Sequence, residues 1–472
     1  MNELEAAFFG RVEKALNDPQ LKIALPLTQE RLRAGRTAAA QELGNIEEWR
    51  TLASDIRMHT IENLDSYLEQ LAGNVLKNGG HVCFAEKAED AISYVQEVVR
   101  AKGAKSIIKS KSMVTEEIHL NHHLEQMGVK VLESDLGEYI IQLAKEKPSH
   151  LVGPAIHKTR EQVAELFSKE AGRPLSSDTD ELLQFAREKL RNEFLQADIG
   201  ISGCNFAVAE SGSVVLFSNE GNARLTTTLP KVHIAVMGME RLVPTWRELD
   251  IVASMLPRSA TGQKITVYMT AINGPRKPGD LDGPEEFHLV ILDNGRSDIL
   301  GTAYQEVLKC IRCGACLNFC PVYRHIGGHA YDSVYSGPIG AVLSPLLEGY
   351  EQRGELPYAS SLCAACTEVC PVKIPLHELL IQHRQDEVEQ GRTSFAEKMA
   401  FKGFAFLTSH PAVYEQAIKA ARLGLGPFSD QDGYIGKAPG MLQGWTNVRD
   451  LPKPAAQTFR EWWRKEKEGK RQ

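Results

Sequence analysis

CIRCGACLNFCP, residues 310–321, decides the architecture of the C-terminal half of this 472-residue chain. Its cysteines fall at C-x2-C-x2-C-x3-C-P, the spacing with which thiolates hold iron–sulfur cubanes. Cys310, Cys313 and Cys316 sit on one short loop that reaches three corners of such a group, and the small Gly314 and Ala315 let the backbone approach it. The next thiol, Cys320, precedes Pro321 and is directed to a different cluster. After 42 intervening residues CAACTEVCP (363–371) again ends in x3-C-P. The pair predicts exchanged ligands: Cys310, Cys313, Cys316 and Cys370 for one cluster, Cys320, Cys363 and Cys366 for the other.

Counting exposes a gap. Two four-iron clusters take eight thiolates, and the two motifs supply seven, with Ser360 where the missing cysteine would stand. Three arrangements are open for the second cluster: a four-iron group with Ser360, another side chain or a small ligand on the fourth iron; a three-iron group; or a thiol from elsewhere. Cys83 and Cys204 are the spare thiols, both in apolar runs that suit a buried structural cysteine. Zinc is disfavoured, since its sites use separated cysteine pairs rather than four thiols in one run. The spacing C-x3-C-x2-C of radical enzymes is absent. Between the motifs, the apolar AVLSPLLEGY (341–350) is helix-compatible and indicates an α-helical ferredoxin-like module. Tyr323, His325, His329 and Tyr331 in this spacer are candidates to pack on a cluster.

Seven of the nine cysteines fall between Cys310 and Cys370, a reduced-thiol pattern that argues against disulfides. A net charge of -7 offers no basic field for nucleic acid, and no apolar run is long enough for a membrane helix. The start MNELEAAFFGRVEKAL has no signal-peptide layout, so the cytoplasm is expected. The last fifteen residues are locally basic, with Arg460, Arg464, Lys465, Lys467, Lys470 and Arg471 against Glu461, Glu466 and Glu468, and read as a solvated tail.

Four regions are expected: a helical arm over 1–60, an α/β domain over 61–295, the iron–sulfur module over 296–390, and a helical extension with the basic tail over 391–472. The arm is rich in Ala, Glu, Arg and Leu and carries no legible chemistry. In the second region β-rich runs alternate with amphipathic ones: HVCFA, a helix over AEDAISYVQEVVRAKG, SIIKS, a helix over MVTEEIHLNHHLEQMG, then VKVLE. SHLVG, SVVLF, VHIAVMG, ITVYMT and HLVILD read as further strands, GPRKPGDLDGPEE as a loop, and ILGTAYQEVLK as a helix leading into Cys310. Ser112 is placed to cap the helix after SIIKS, and Asp135 with Glu138 to form a capping box. Ser110, Lys111 and Ser112 suit either a capped helix start or an anion site.

KSKSMVTEEI, LESDLGEYIIQL, SHLVGPAIHK and AESGSVVLFSNEGNARLTTTLPKVHIAVMG, followed by the paired cysteine motifs, SLCAACTEVCPVKIPLHELL and FREWW, resemble the lactate utilization protein B family over essentially the whole chain. The resemblance implies a LUD domain, similar in fold to CoA-transferases and sugar-phosphate isomerases, followed by a two-cluster ferredoxin-like module. It also implies an iron–sulfur electron carrier that works with two partner proteins, an electron donor and an acceptor, in oxidising L-lactate to pyruvate for growth on lactate. The family's seven ligand cysteines all match here, and no catalytic residue is assigned. Fold similarity alone leaves a second reading open, in which the LUD half is a catalytic or anion- or thioester-binding unit and the clusters are structural or sensing, with Glu210 as the carboxylate that could attack. No Gly-x-Gly-x-x-Gly follows a strand, which disfavours a self-sufficient nicotinamide or flavin dehydrogenase.

Overall fold

The computed structural model describes residues 3–438, 443–446 and 449–469. Close contacts divide the chain into two units, Met1–Glu387 and Val388–Gln472.

The first unit holds strands β1 (His81–Ala85), β2 (Ser106–Lys109), β3 (Lys130–Glu133), β4 (Ile199–Ser202), β5 (Phe206–Val208), β6 (Ser213–Ser218), β7 (Val232–Gly238), β8 (Leu242–Val243), β9 (Tyr268–Ile272) and β10 (Glu286–Leu292). Six of them form one sheet in the order β1-β10-β7-β4-β2-β3, parallel at every pairing. Both faces are covered, as the period of two demands of near-continuous apolar strands. Along β7, Val232, Ile234 and Val236 join a core with Val95 and Val99, while Ala235 and Met237 join another with Leu71, Val75 and Phe287. The remaining four strands form a smaller mixed sheet, β8-β5-β6-β9.

After β10 the described residues up to 390 contain no strand. Short helices carry the cysteine motifs, Ala315–Phe319 and Pro321–Ile326 for the first and Ala365–Val369 for the second, and a longer helix, Gly337–Glu348, fills the spacer. The N-terminal helices Leu21–Leu43 and Ile46–Glu62 pack on this region and on the helix Trp246–Ala260.

Four local expectations are corrected. SHLVG is a bent loop, not a strand. Pro148 and Pro154 flank it, and its Ser149 N–H is spent on the Pro154 carbonyl at 3.0 Å, so no ladder can form. ILGTAYQEVLK is not one helix: Gly301 takes a left-handed φ of 73° between two 3-10 turns, Ser297–Ile299 and Gln305–Lys309, the second of which leads into Cys310. The helix over MVTEEIHLNHHLEQMG is broken into Met113–Glu117 and Leu120–Glu125 by His119 at φ 51°. Asp135 caps its helix through the Gly137 and Glu138 N–H groups, but the Glu138 side chain turns to Lys111 at 2.7 Å, so the capping box is only half built.

In the second unit helices Phe395–Ser409, Pro411–Leu425 and Phe459–Gly469 accompany a two-strand ladder, β11 (Tyr434–Ile435) with β12 (Leu451–Pro452). Arg464 of the basic tail is ion-paired to Glu415 at 2.5 Å. Lys470 and Arg471 lie outside the described residues. No helix among the described residues is long and apolar enough to cross a membrane.

Candidate metal centre

The two cysteine loops share one backbone form. In the first, Arg312 and Gly314 adopt left-handed φ values of 59° and 73°; in the second, Leu362 and Ala364 adopt 54° and 63° at the matching positions. Each loop then runs into a five-residue helix, and the two helices pack together. Non-glycine residues rarely accept positive φ, so three of them at equivalent places mark loops whose shape is imposed by what their side chains must reach. Gly314 has a second reason to be small, since a Cβ there would lie 3.3 Å from Val152 Cγ2 of the SHLVG loop.

The thiols fall into two groups. Cys310, Cys313, Cys316 and Cys370 all line one small cavity, closed by Leu151, Ile311, Ile339, Val372 and Ile374 among others. Burial pushes the Cys370 thiol up to about 11, and the charge of Cys310 adds to it. Burial raises Cys313 further, with Cys370 and Cys310 beside it. Cys320 is raised by burial and by Cys363, and Cys366 is pushed up to about 12 by burial, then by Cys320 and Cys363. Cys316 feels Cys313, Cys310, Cys366 and Cys370, which makes it the bridge between the groups. The second group is nearer the surface, with Cys363 exposed and Ser360 half-buried.

Backbone N–H groups point at the sulfurs: Arg312 N–H donates to Cys310 Sγ, Tyr323 N–H to Cys320 Sγ and Ile374 N–H to Cys370 Sγ, each at 3.4 Å. A cavity walled by four convergent thiols, with donors placed to stabilise sulfur charge, fits an iron–sulfur group. Binding it deprotonates thiols that burial otherwise holds neutral.

The N-terminal arm supplies residues in which the sequence showed no chemistry. Gln29 donates to the Leu317 and Cys320 carbonyls at 2.8 and 3.2 Å, Arg33 to Asn318 O at 2.7 Å, Arg36 to Val369 O at 2.9 Å and Arg50 to Cys370 O at 2.9 Å. Arg33 and Arg36 also lie over the Phe319 ring, at 4.9 and 5.5 Å. These side chains satisfy carbonyls at the ends of the two short cysteine helices and bring positive charge toward the thiols. Arg57, fully buried, reaches the Glu240, Leu242, Leu308 and Lys309 carbonyls, and Arg241 reaches Cys310 O at 2.7 Å. The sequence carried no local pattern that joins Arg33, Arg36, Arg50 and Arg57, on two separate helices, to the cysteine motifs.

Of the spacer aromatics, Tyr323 and Tyr331 are buried within electrostatic reach of the thiols, Tyr331 of Cys320, Cys316 and Cys366. His325 and His329 are exposed; His329 bonds the Lys147 carbonyl at 2.7 Å and packs on His157. Cys83 is half-buried beside an apolar core, and Cys204 is half-buried, its thiol pushed up to about 12 by burial. Ser112 caps its helix by accepting from Thr115 N–H. Glu210 is exposed, and its Oε1 accepts from Trp246 N–H at 2.7 Å, the start of the helix Trp246–Ala260.

A LUD domain model matches residues 68–292, a 4Fe-4S dicluster domain model residues 306–374, and a model of the C-terminal part of lactate utilisation protein B residues 381–468. A protein named lactate utilization protein B from Shouchella clausii is 60% identical over 98% of this chain and 98% of its own. The chain belongs to the lactate utilization protein B family. The namesake from Bacillus licheniformis is 58% identical over 98% of this chain and 97% of its own, and that from Oceanobacillus iheyensis 54% over 99% and 98%. Within this family frame the cysteine region is an iron–sulfur domain, and the parallel sheet belongs to the LUD domain.

Proposed function

We propose that the chain is an electron carrier holding two iron–sulfur clusters, one on Cys310, Cys313, Cys316 and Cys370 and the other on Cys320, Cys363 and Cys366. The observation that carries this reading is the cavity that gathers Cys370 with the three thiols of the first motif and without Cys363 and Cys366 of its own motif. The module is an α-helical ferredoxin-like fold, and the LUD sheet is of the CoA-transferase and isomerase kind. Iron–sulfur groups supply one-electron oxidation and reduction when bound. This chain's residues hold them, exclude water from the first site and leave the second near the surface, where a partner can exchange electrons.

The relatives are named for lactate utilization. We assign the chain to the oxidation of L-lactate to pyruvate, which releases two electrons and two protons, and which supports growth on lactate. The carbon chemistry then belongs to a partner, with a second partner as acceptor, in the cytoplasm, and this chain has no stand-alone activity. The thioester alternative rests on Glu210, whose exposed carboxylate accepts from the Trp246 N–H through Oε1.

Anaerobic purification followed by iron and sulfide analysis, and EPR after dithionite, tests the carrier reading. Two reducible signals are expected. A colourless protein without a reducible signal overturns it, as does a Cys310→Ala strain that loses iron yet grows fully on lactate.

A further inference from the structure

Residues that follow the carboxyl ends of β2, β4 and β7 line a chamber together with residues of the first cysteine loop. Lys111 and Ser112 follow β2, Asn205 follows β4 and Glu240 follows β7; Arg312 and Cys313 line the chamber from the cysteine loop, and Asp135 and Glu220 line it as well. Ligands of parallel α/β sheets bind at this end, where loops from several strands converge. Cys313 lines both this chamber and the thiol cavity, so an occupant would adjoin whatever the thiols hold.

We propose that this chamber binds a small organic anion, with its carboxylate or phosphate head between Arg312 and Lys111. The guanidinium of Arg312 is fixed in place before any ligand arrives. Its plane lies over the Tyr335 ring at 4.2 Å, and its Nη2 meets Glu240 Oε1 at 3.4 Å. Glu240 is itself held by Arg296 at 2.8 Å, Arg296 by Glu117 at 2.7 Å, and Glu117 accepts from Tyr335 OH at 2.6 Å, which closes a ring of buried charges. Arg312 Nη1 is buried and has no hydrogen-bond partner among the described residues. A buried donor left unmet is unfavourable, so its place in the chamber wall calls for an acceptor oxygen.

Lys111 supplies the second contact. Its ammonium meets Glu138 at 2.7 Å, which leaves donors for a ligand oxygen. Burial drives the Glu138 carboxyl well above the usual range, while Asp135 is held low beside it. A planar guanidinium matches the two oxygens of a carboxylate or phosphate, and a lysine adds a point charge. The apolar remainder of the wall, including Leu216, Phe217 and Val236, suits the carbon body of an organic acid over a bare ion.

This inference rests on the electron-carrier reading only in its spectroscopic arm. L-lactate, pyruvate and inorganic phosphate would each be titrated calorimetrically into the anaerobic holoprotein, and the reduced protein followed by EPR. At least one is expected to bind once per chain and to alter the signal of the cluster next to Cys313. Lys111→Gln, which touches no cysteine loop, should weaken binding about tenfold or more with iron content unchanged, and Arg312→Gln should weaken it comparably. Phosphate alone binding would identify a phosphate head, and an organic acid alone a carboxylate. Normal iron and reducible signals with none of the three bound at millimolar concentration, or binding that both variants leave intact, would overturn the chamber proposal alone. Absent iron would instead overturn the carrier reading.

Discussion

Ser360 occupies in the second cysteine loop the position that Cys310 occupies in the first. Leu362 N–H donates to Ser360 Oγ at 3.1 Å, as Arg312 N–H donates to Cys310 Sγ at 3.4 Å, and both donor residues are left-handed. The repeat therefore preserves the loop and its internal bond while exchanging sulfur for oxygen. Iron–sulfur groups prefer thiolate, so in the proposed second cluster an iron facing Ser360 would be the least firmly held. Ser360→Cys should give the second cluster four thiolates and slow its loss of iron in air severalfold, while Ser360→Ala should hasten it. Iron content and the visible chromophore, followed over time, check this; equal decay in all three proteins counts against a ligand position at 360.

Exchanged ligation makes a prediction that linear ligation does not. Cys320→Ala should remove the same EPR signal as Cys363→Ala, and Cys370→Ala the same signal as Cys313→Ala. If each cysteine instead shares its loss with its own sequence motif, the pairing of Cys370 with the first loop is wrong.

The arginines of the N-terminal helices hold the cysteine region closed, and Arg57 does so from a fully buried position. Its donors meet carbonyls from β8, from the turn before it and from the segment leading into Cys310. Arg57→Ala leaves these carbonyls unmet and opens a void, so unfolding stability should fall by roughly 3–5 kcal/mol. Arg50→Ala, which removes a bond to Cys370 O from a less buried side chain, should cost about 1–2 kcal/mol. Urea midpoints of the anaerobic proteins decide this, and a change below about 0.5 kcal/mol for Arg57→Ala contradicts the role.

What the sequence disclosed follows from range. The thiols were legible because a cluster loop is local: spacing, small residues and terminal proline all lie within twelve positions. The parallel sheet was legible from apolar runs alternating with amphipathic ones. Arg36 was not, because its partner Val369 is 333 residues away and no local pattern joins them. SHLVG misled because apolarity alone does not distinguish a strand from a buried loop, and its flanking prolines carried the decisive information. The chamber required β2, β4, β7 and the Cys313 loop to meet at one place, a tertiary fact without a linear signature.

His233 sets a pH limit on the LUD sheet. It lies on β7 with no exposure, its Nε2 shares a hydrogen bond with Ser202 Oγ at 2.8 Å, and its ring packs on Phe287 at 5.3 Å. Burial, and secondarily the charge of His288, lower its pKa from 6.5 to about 3. A depressed base binds its proton more readily in the unfolded chain. Stability is therefore fully present above pH 6.5 and is lost progressively as pH falls toward 3, by up to an amount on the order of 5 kcal/mol for this group. His233→Gln removes the titrating group. It should lower stability at neutral pH through poorer packing, and it should flatten the acid limb between pH 6 and 4. Urea midpoints across that range, with iron content held equal, measure the slope; an acid limb as steep in the variant as in the parent would assign the loss to other groups.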